Sequence, residues 1–158
     1  MRIYLPSTFT DLAAVLDAGG ISGPPLTAFA VTDRLAGPEG AGDDEELEYE
    51  ALRSAAAESL RLLHADPAAP RRRAVIAAEA PEAVVEPAAD DDRPAAVTLT
   101  GALPLKRVAA LHVDAPEAEA AVTEAAAHPG SDPEAGPLAD HELLWYATQE
   151  LPYLLDRG

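Results

Sequence analysis

Two histidines and two carboxylates are the first residues to weigh for chemistry. His112 and Asp114 stand two apart in a segment of strand character, so their side chains share one face. His141 and Glu142 follow a Pro/Gly-rich stretch and could approach that face through the fold. Two imidazoles with carboxylates suit a zinc or non-haem iron ion. The spacing is generic, however. No His-x-x-x-His pair occurs, Asp114 also fits a helix cap, and His141 at a helix start can face water. The residues therefore predict no metal and no cofactor, with His112, Asp114, His141 and Glu142 as the set to inspect.

Ser7 and Thr8 leave a strand and open a helix, where backbone N–H groups can hold an anion. Neither a glycine-rich phosphate cradle nor a Gly-x-Ser-x-Gly elbow is present. N-capping accounts for both hydroxyls, and no catalytic residue is assigned. The absence of cysteine removes disulfides, thiol catalysis and Cys-ligated metals together.

Charge narrows the partners. Twenty-eight acidic residues against 11 basic ones give a formal charge of −17. The basic clusters are Arg71-Arg72-Arg73 and Lys106-Arg107, each before a predicted strand. If those strands ran parallel, five cations would meet at one sheet end and could hold a phosphate. The surrounding negative field still repels a polyanion, so no direct nucleic-acid contact is expected. In the opposite sense, Asp43, Asp44, Glu45, Glu46, Glu48 and Glu50 set six carboxylates on eight residues. On a helix that is one charge per about 2 Å, near the one per roughly 1.7 Å of duplex DNA. A decoy for a basic protein is conceivable. Yet acids in a first turn favour the helix dipole in any protein, and the run is short for a DNA-like footprint.

The closing segment gives the strongest recognition signal. Read as a helix opening at Asp140, it aligns Leu143, Leu144, Ala147 and Leu151 in one stripe and puts Trp145, Tyr146 and Gln149 opposite. Trp145, Tyr146 and Tyr153 are three of the chain's seven aromatics. A helix apolar on both sides is either buried between layers or offers one side to a partner. Trp and Tyr also dominate interface energetics. Trp145, Tyr146, Gln149 and Tyr153 are thus the candidate contact residues, with Asp43, Asp44, Glu45 and Glu46 as a second, acidic face.

The elements that must position these residues can be read in order. Arg2–Leu5 reads as a strand, and Ser7 or Thr8 caps a helix that carries Phe9, Leu12, Val15 and Leu16 on one face and ends at Gly19-Gly20. Leu26–Val31 suits a strand covered on both faces. Asp43 and Glu46 have capping-box spacing. The following helix places Tyr49, Leu52, Ala55, Ala56, Leu60, Leu62 and Leu63 on its inner half. Strands are predicted at 73–80, 96–100 and 108–113, with loops, expected to be mobile, at about 81–94 and 128–139. Asp114 and Glu117 repeat the capping-box spacing ahead of an Ala-rich helix to about Ala127. The order β-α-β-α-β-β-β-α-α predicts a single α/β domain, residues 1–158, with a mixed sheet of about five strands. Parallel pairing is expected among the early strands and antiparallel pairing among the later ones.

Leu, Val, Ile and Phe total 34 of 158 residues, so the core is thin and the 36 alanines must fill much of it. Ten Arg against one Lys, three Ile and no Asn point to a high-GC bacterial gene. No apolar run approaches the roughly 20 residues that span a bilayer, and no secretion signal opens the chain. A cytoplasmic location without membrane contact is expected.

The segments MRIYLP, TAFAVT, DEELEYEAL, RRRAV, HVDAP and DHELLWYATQEL resemble an uncharacterised family of small actinobacterial proteins over nearly the whole chain. The resemblance implies a bacterial cytosolic protein and carries no catalytic residue. The expectation is a non-enzymatic interaction or regulatory protein whose partner is another protein or a second copy. The alternative is a small metal- or ligand-binding enzyme using His112, Asp114, His141 and Glu142.

Overall fold

The computed structural model describes residues 1–23, 25–37, 44–88, 91–128 and 136–156. The centre of the molecule is β1 (Arg2–Ser7), whose alternation sends Ile3 and Leu5 to one side and Tyr4 to the other. It pairs along its full length with β4 (Ala74–Glu79), from Arg2 opposite Glu79 to Ser7 opposite Ala74. Its other neighbour is β3 (Leu26–Phe29), registered through Tyr4 and Phe29. Outward from β3 come β6 (Ala96–Leu99) and β5 (Val85–Pro87); outward from β4 come β8 (Val108–Val113) and β9 (Leu144–Ala147). The seven-stranded order is β5-β6-β3-β1-β4-β8-β9. A separate two-stranded ribbon joins β2 (Gly20–Ile21) to β7 (Leu103–Pro104).

Helices cover both faces. On the Ile3 and Leu5 side, α1 (Phe9–Ala18) and the short α5 (Leu151–Leu154) bury Phe9, Leu12 and Leu151 against Ile76 and Leu111. Thr8 caps α1 by accepting from the Asp11 N–H, and Gly19 ends it in the left-handed region at φ 75°. On the Tyr4 side lies α3 (Asp44–Ala65), with Ala51, Ala55 and Ala56 against Tyr4, Val75, Ala77 and Ala110. The small residues let this helix sit close to the sheet. Ser59, fully buried, pins it there. Its hydroxyl donates to the Ser7 carbonyl at 2.7 Å and accepts from the Ala74 N–H at 3.1 Å, bridging the end of the β1–β4 ladder. Further along, α4 (Glu119–Ala127) packs Ala121, Val122 and Ala126 on Leu60 and Leu63. One single-turn helix, α2 (Asp33–Ala36), follows β3.

The α/β class holds, and most of the early elements stand where the pattern sets them. The sheet differs from the mixed five-stranded expectation: it has seven strands, and every registered pairing among the described residues is antiparallel. The reason lies in one skipped position. β3 and β4, joined through α2 and α3, do run in the same direction, but β1 lies between them and opposes both. The segment expected as a loop at 81–94 contains a 3₁₀ turn (Glu82–Val84) and β5; Pro87 is tolerated there because β5 is an edge strand. Residues 89–90 of that segment and 129–135 of the later one lie outside the described residues.

One cap and one helix change. Asp43 lies outside the described residues, and with it the first capping box. Asp114 does not cap α4, which starts behind a 3₁₀ turn (Pro116–Ala118) with no side-chain cap. The closing segment is not a helix from Asp140. It runs through a 3₁₀ turn (Pro137–Asp140), strand β9, a second turn (Thr148–Glu150) and then α5. Pro152 permits only a helix that starts beside it, since proline is tolerated in a first turn and not further in. Upstream, Trp145 and Tyr146 have the side chains that favour a pleated, half-covered surface.

Candidate functional site

The arginine run turns out to hold the β4–β8 end together. Arg71 donates to the carbonyls of Leu63, Asp66 and Ala69, closing the C-terminal end of α3. Arg72 donates to the Asp114 carbonyl and lays its guanidinium over the Phe9 ring, 4.3 Å from the centroid. Arg73 grips the buried Asp114 carboxylate with two guanidinium nitrogens at 2.8 and 2.9 Å, and its backbone N–H donates to the same carboxylate. A further bond from Arg73 goes to the His141 carbonyl, which ties the approach to β9 onto the same clamp. Because β4 and β8 are antiparallel, Arg71–Arg73 and Lys106–Arg107 lie at opposite ends of the sheet and form no joint phosphate site.

That clamp removes Asp114 from the metal set. His112 points to the α3 side, edge-on to the Tyr4 ring with centroids 6.4 Å apart. Burial, with a smaller push from Arg2, holds its imidazole below the usual value. Glu142 is exposed and His141 half-buried. Among the described residues no three His, Cys, Asp or Glu side chains converge as a metal site requires. At β1, the Ser7 hydroxyl donates to the Thr8 carbonyl and Thr8 is occupied as the α1 cap.

Two of the exposed large apolar side chains, Leu144 and Trp145, lie on β9. Among the described residues β9 pairs only with β8, with Val113 opposite Leu144, His112 opposite Trp145 and Leu111 opposite Tyr146. Trp145 therefore shares the α3 side with His112, while Tyr146 turns to the other side and packs on the core. Trp145 is 62% exposed and Leu144 44%. The Thr148 hydroxyl fixes the end of the strand on the Val108 carbonyl at 2.8 Å. Tyr153, on α5, is 73% exposed, and Gln149 is exposed as well. Of the four candidate contact residues, Tyr146 alone is part of the core margin.

A cleft of about 610 Å³ runs beside this edge, between α3 and the segment entering β9. Tyr49, Leu52 and Arg53 form one wall, and His141, Glu142 and Leu143 the other. Tyr49 was expected on the inner half of its helix; it is 49% exposed because Ala51, Ala55 and Ser59 face the sheet instead. Asp44, Glu45 and Glu46 are exposed in the first turn of α3, one turn or so from this wall. No local pattern marks Tyr49 and Leu52 as cleft residues. The signal for Arg73 was present, as three consecutive arginines beside a strand, but its use is structural.

A family model matches residues 1–155, and its description is a family of unknown function, DUF6912. The chain belongs to that family. No curated protein and no solved structure matches it.

Proposed function

We propose that this member of DUF6912 is a protein-docking domain that takes an extended, cationic segment of a partner along β9. The observation that carries the reading is Trp145, an indole 62% exposed on a sheet edge whose outer side has no strand among the described residues. Edge strands offer unpaired N–H and C=O groups, and peptide recognition by strand addition uses them. Trp145 supplies a rigid aromatic anchor beside that backbone, and Leu144 adds apolar surface on the opposite side of the strand. Charge sets the partner's sign. Glu142 lies in the cleft wall, Glu48 is exposed on α3, and the chain as a whole carries −17. A second copy brings the same negative charge to the contact, whereas a Lys/Arg-bearing strand is drawn to it. The residue usage supports a bacterial protein of the cytoplasm, and no helix among the described residues is long and apolar enough to cross a membrane.

Trp145 is the only tryptophan, so its fluorescence reports the site directly. A capped peptide alternating valine with arginine, titrated into the protein, is expected to shift the emission and to perturb amide resonances of Leu144–Ala147. Trp145→Ala is expected to stay folded and to lose at least about 2 kcal/mol of binding, the scale of an interface anchor. Binding should weaken as salt rises. A dimer by light scattering that buries Trp145 would replace the partner by a second copy. Peptide shifts confined to another surface would remove β9 from the function.

A further inference from the structure

Where β1 and β3 part, the sheet opens onto a second cavity. Tyr4 opposite Phe29 is the registered pair between these strands. Extending that antiparallel register sets Leu5 opposite Ala28, Pro6 opposite Thr27 and Ser7 opposite Leu26, yet among these described residues no such pair forms. β1 keeps all six partners on β4, and β3 all four on β6. The strands therefore diverge as ordered elements. Pro6, with no N–H to give to a neighbour, stands on the diverging stretch.

The gap is a cavity of about 390 Å³, within the roughly 300–1,000 Å³ of small-molecule sites. Leu5, Val15, Ile21, Leu26 and Ile76 wall it with apolar surface. The ionised groups among its lining residues are two carboxylates, Asp11 and Glu58. Glu58 is already engaged by Arg61 and Arg93 from outside the lining. The Asp11 carboxylate, on the exposed start of α1, has no hydrogen bond or ion pair among the described residues; only its backbone N–H is used, toward Thr8.

We propose that this parting of the sheet binds a small organic amine, its apolar body between β1 and β3 and its ammonium group at Asp11. The apolar walls favour a hydrocarbon body over water, and the ammonium donates a charge-assisted hydrogen bond to the Asp11 carboxylate, which has no other partner among the described residues. A carboxylic acid of the same shape meets repulsion at the same point. The site is separate from β9 and stands or falls independently of it.

The test uses primary alkylamines from butylamine to octylamine together with 2-phenylethylamine, and hexanoate and 3-phenylpropionate as acid counterparts. Each is titrated into the isotope-labelled protein. Saturable shifts at Ser7, Thr27 and Ile76 with at least one amine, and none with the acids, are expected. Asp11→Asn should weaken amine binding roughly five- to tenfold, the net scale of one hydrogen bond at an exposed group. Ala14→Trp, on an exposed position of α1 that lines the cavity, should abolish it while the rest of the spectrum stays native. The proposal is overturned by the absence of saturable shifts with every amine, by an equal response to the acids, or by unchanged affinity in Asp11→Asn.

Discussion

Arg73 and Asp114 show how much one pair of residues holds in this chain. Asp114 is fully buried, and Arg73 holds its carboxylate through three hydrogen bonds. Removing one partner leaves an uncompensated charge. Arg73→Met is therefore expected to cost about 3–5 kcal/mol in urea unfolding, and more than an exposed arginine such as Arg61. Protonation acts at the same scale. His112 resists its proton when folded, so protonation favours the unfolded chain. Its contribution is complete above about pH 6.5 and is lost as pH falls through that value toward the depressed folded one. Asp91, held down to about 2 by the Arg93 guanidinium, contributes above about pH 3.9 and loses that contribution as pH falls toward 2. Unfolding curves across pH should show two separate declines, the first absent in His112→Gln and the second in Asp91→Asn.

At the scale of an element, β9 explains both what the sequence made legible and what it hid. Leu143, Leu144, Ala147 and Leu151 fit a helical stripe, but a four-residue strand followed by a turn satisfies the same apolar positions. Short runs cannot be assigned by period alone. Trp145, which a helical reading sets opposite that stripe and leaves open between core and surface, is exposed on a strand instead. By contrast, β2, β5 and β7 are two or three residues long, and their pairing depends on distant partners no local pattern reveals. The long α3 was readable over some 22 residues, though its roll was not: Ala51 and Ser59 face the sheet because small side chains permit close approach there. Since Trp145 is held mainly by backbone pairing, Trp145→Ala should shift folding stability by no more than about 0.5 kcal/mol. Thermal unfolding distinguishes that outcome from a core role.

For the whole molecule, composition set the right broad bounds. One α/β unit with an alanine-filled interior is what 34 large aliphatic and Phe residues allow, and three connected clusters carry it. The direction of the strands was beyond reach, because a crossover that passes over β1 looks in sequence like one that does not. The antiparallel outcome also separates Arg71–Arg73 from Lys106–Arg107, leaving a negative surface without a shared cationic end. Among the described residues His112, Asp114, His141 and Glu142 do not converge, for a related reason: Asp114 answers to Arg73, across the strand pair, and not to the histidine two residues before it.

Among the described residues a single registered pair joins the two halves of the large sheet, and it makes the molecule mechanically uneven. β1, β4 and β8 are zipped along most of their lengths, whereas β3, β6 and β5 hang from them through Tyr4 and Phe29 and through the helices above and below. Opening along that seam breaks few backbone bonds, so it needs less free energy than complete unfolding. In native-state deuterium labelling, amides of β3 and β6 should become labelled through a partial opening, well before those of β1 and β4. Uniform protection across all five central strands would mean that the halves melt only as one.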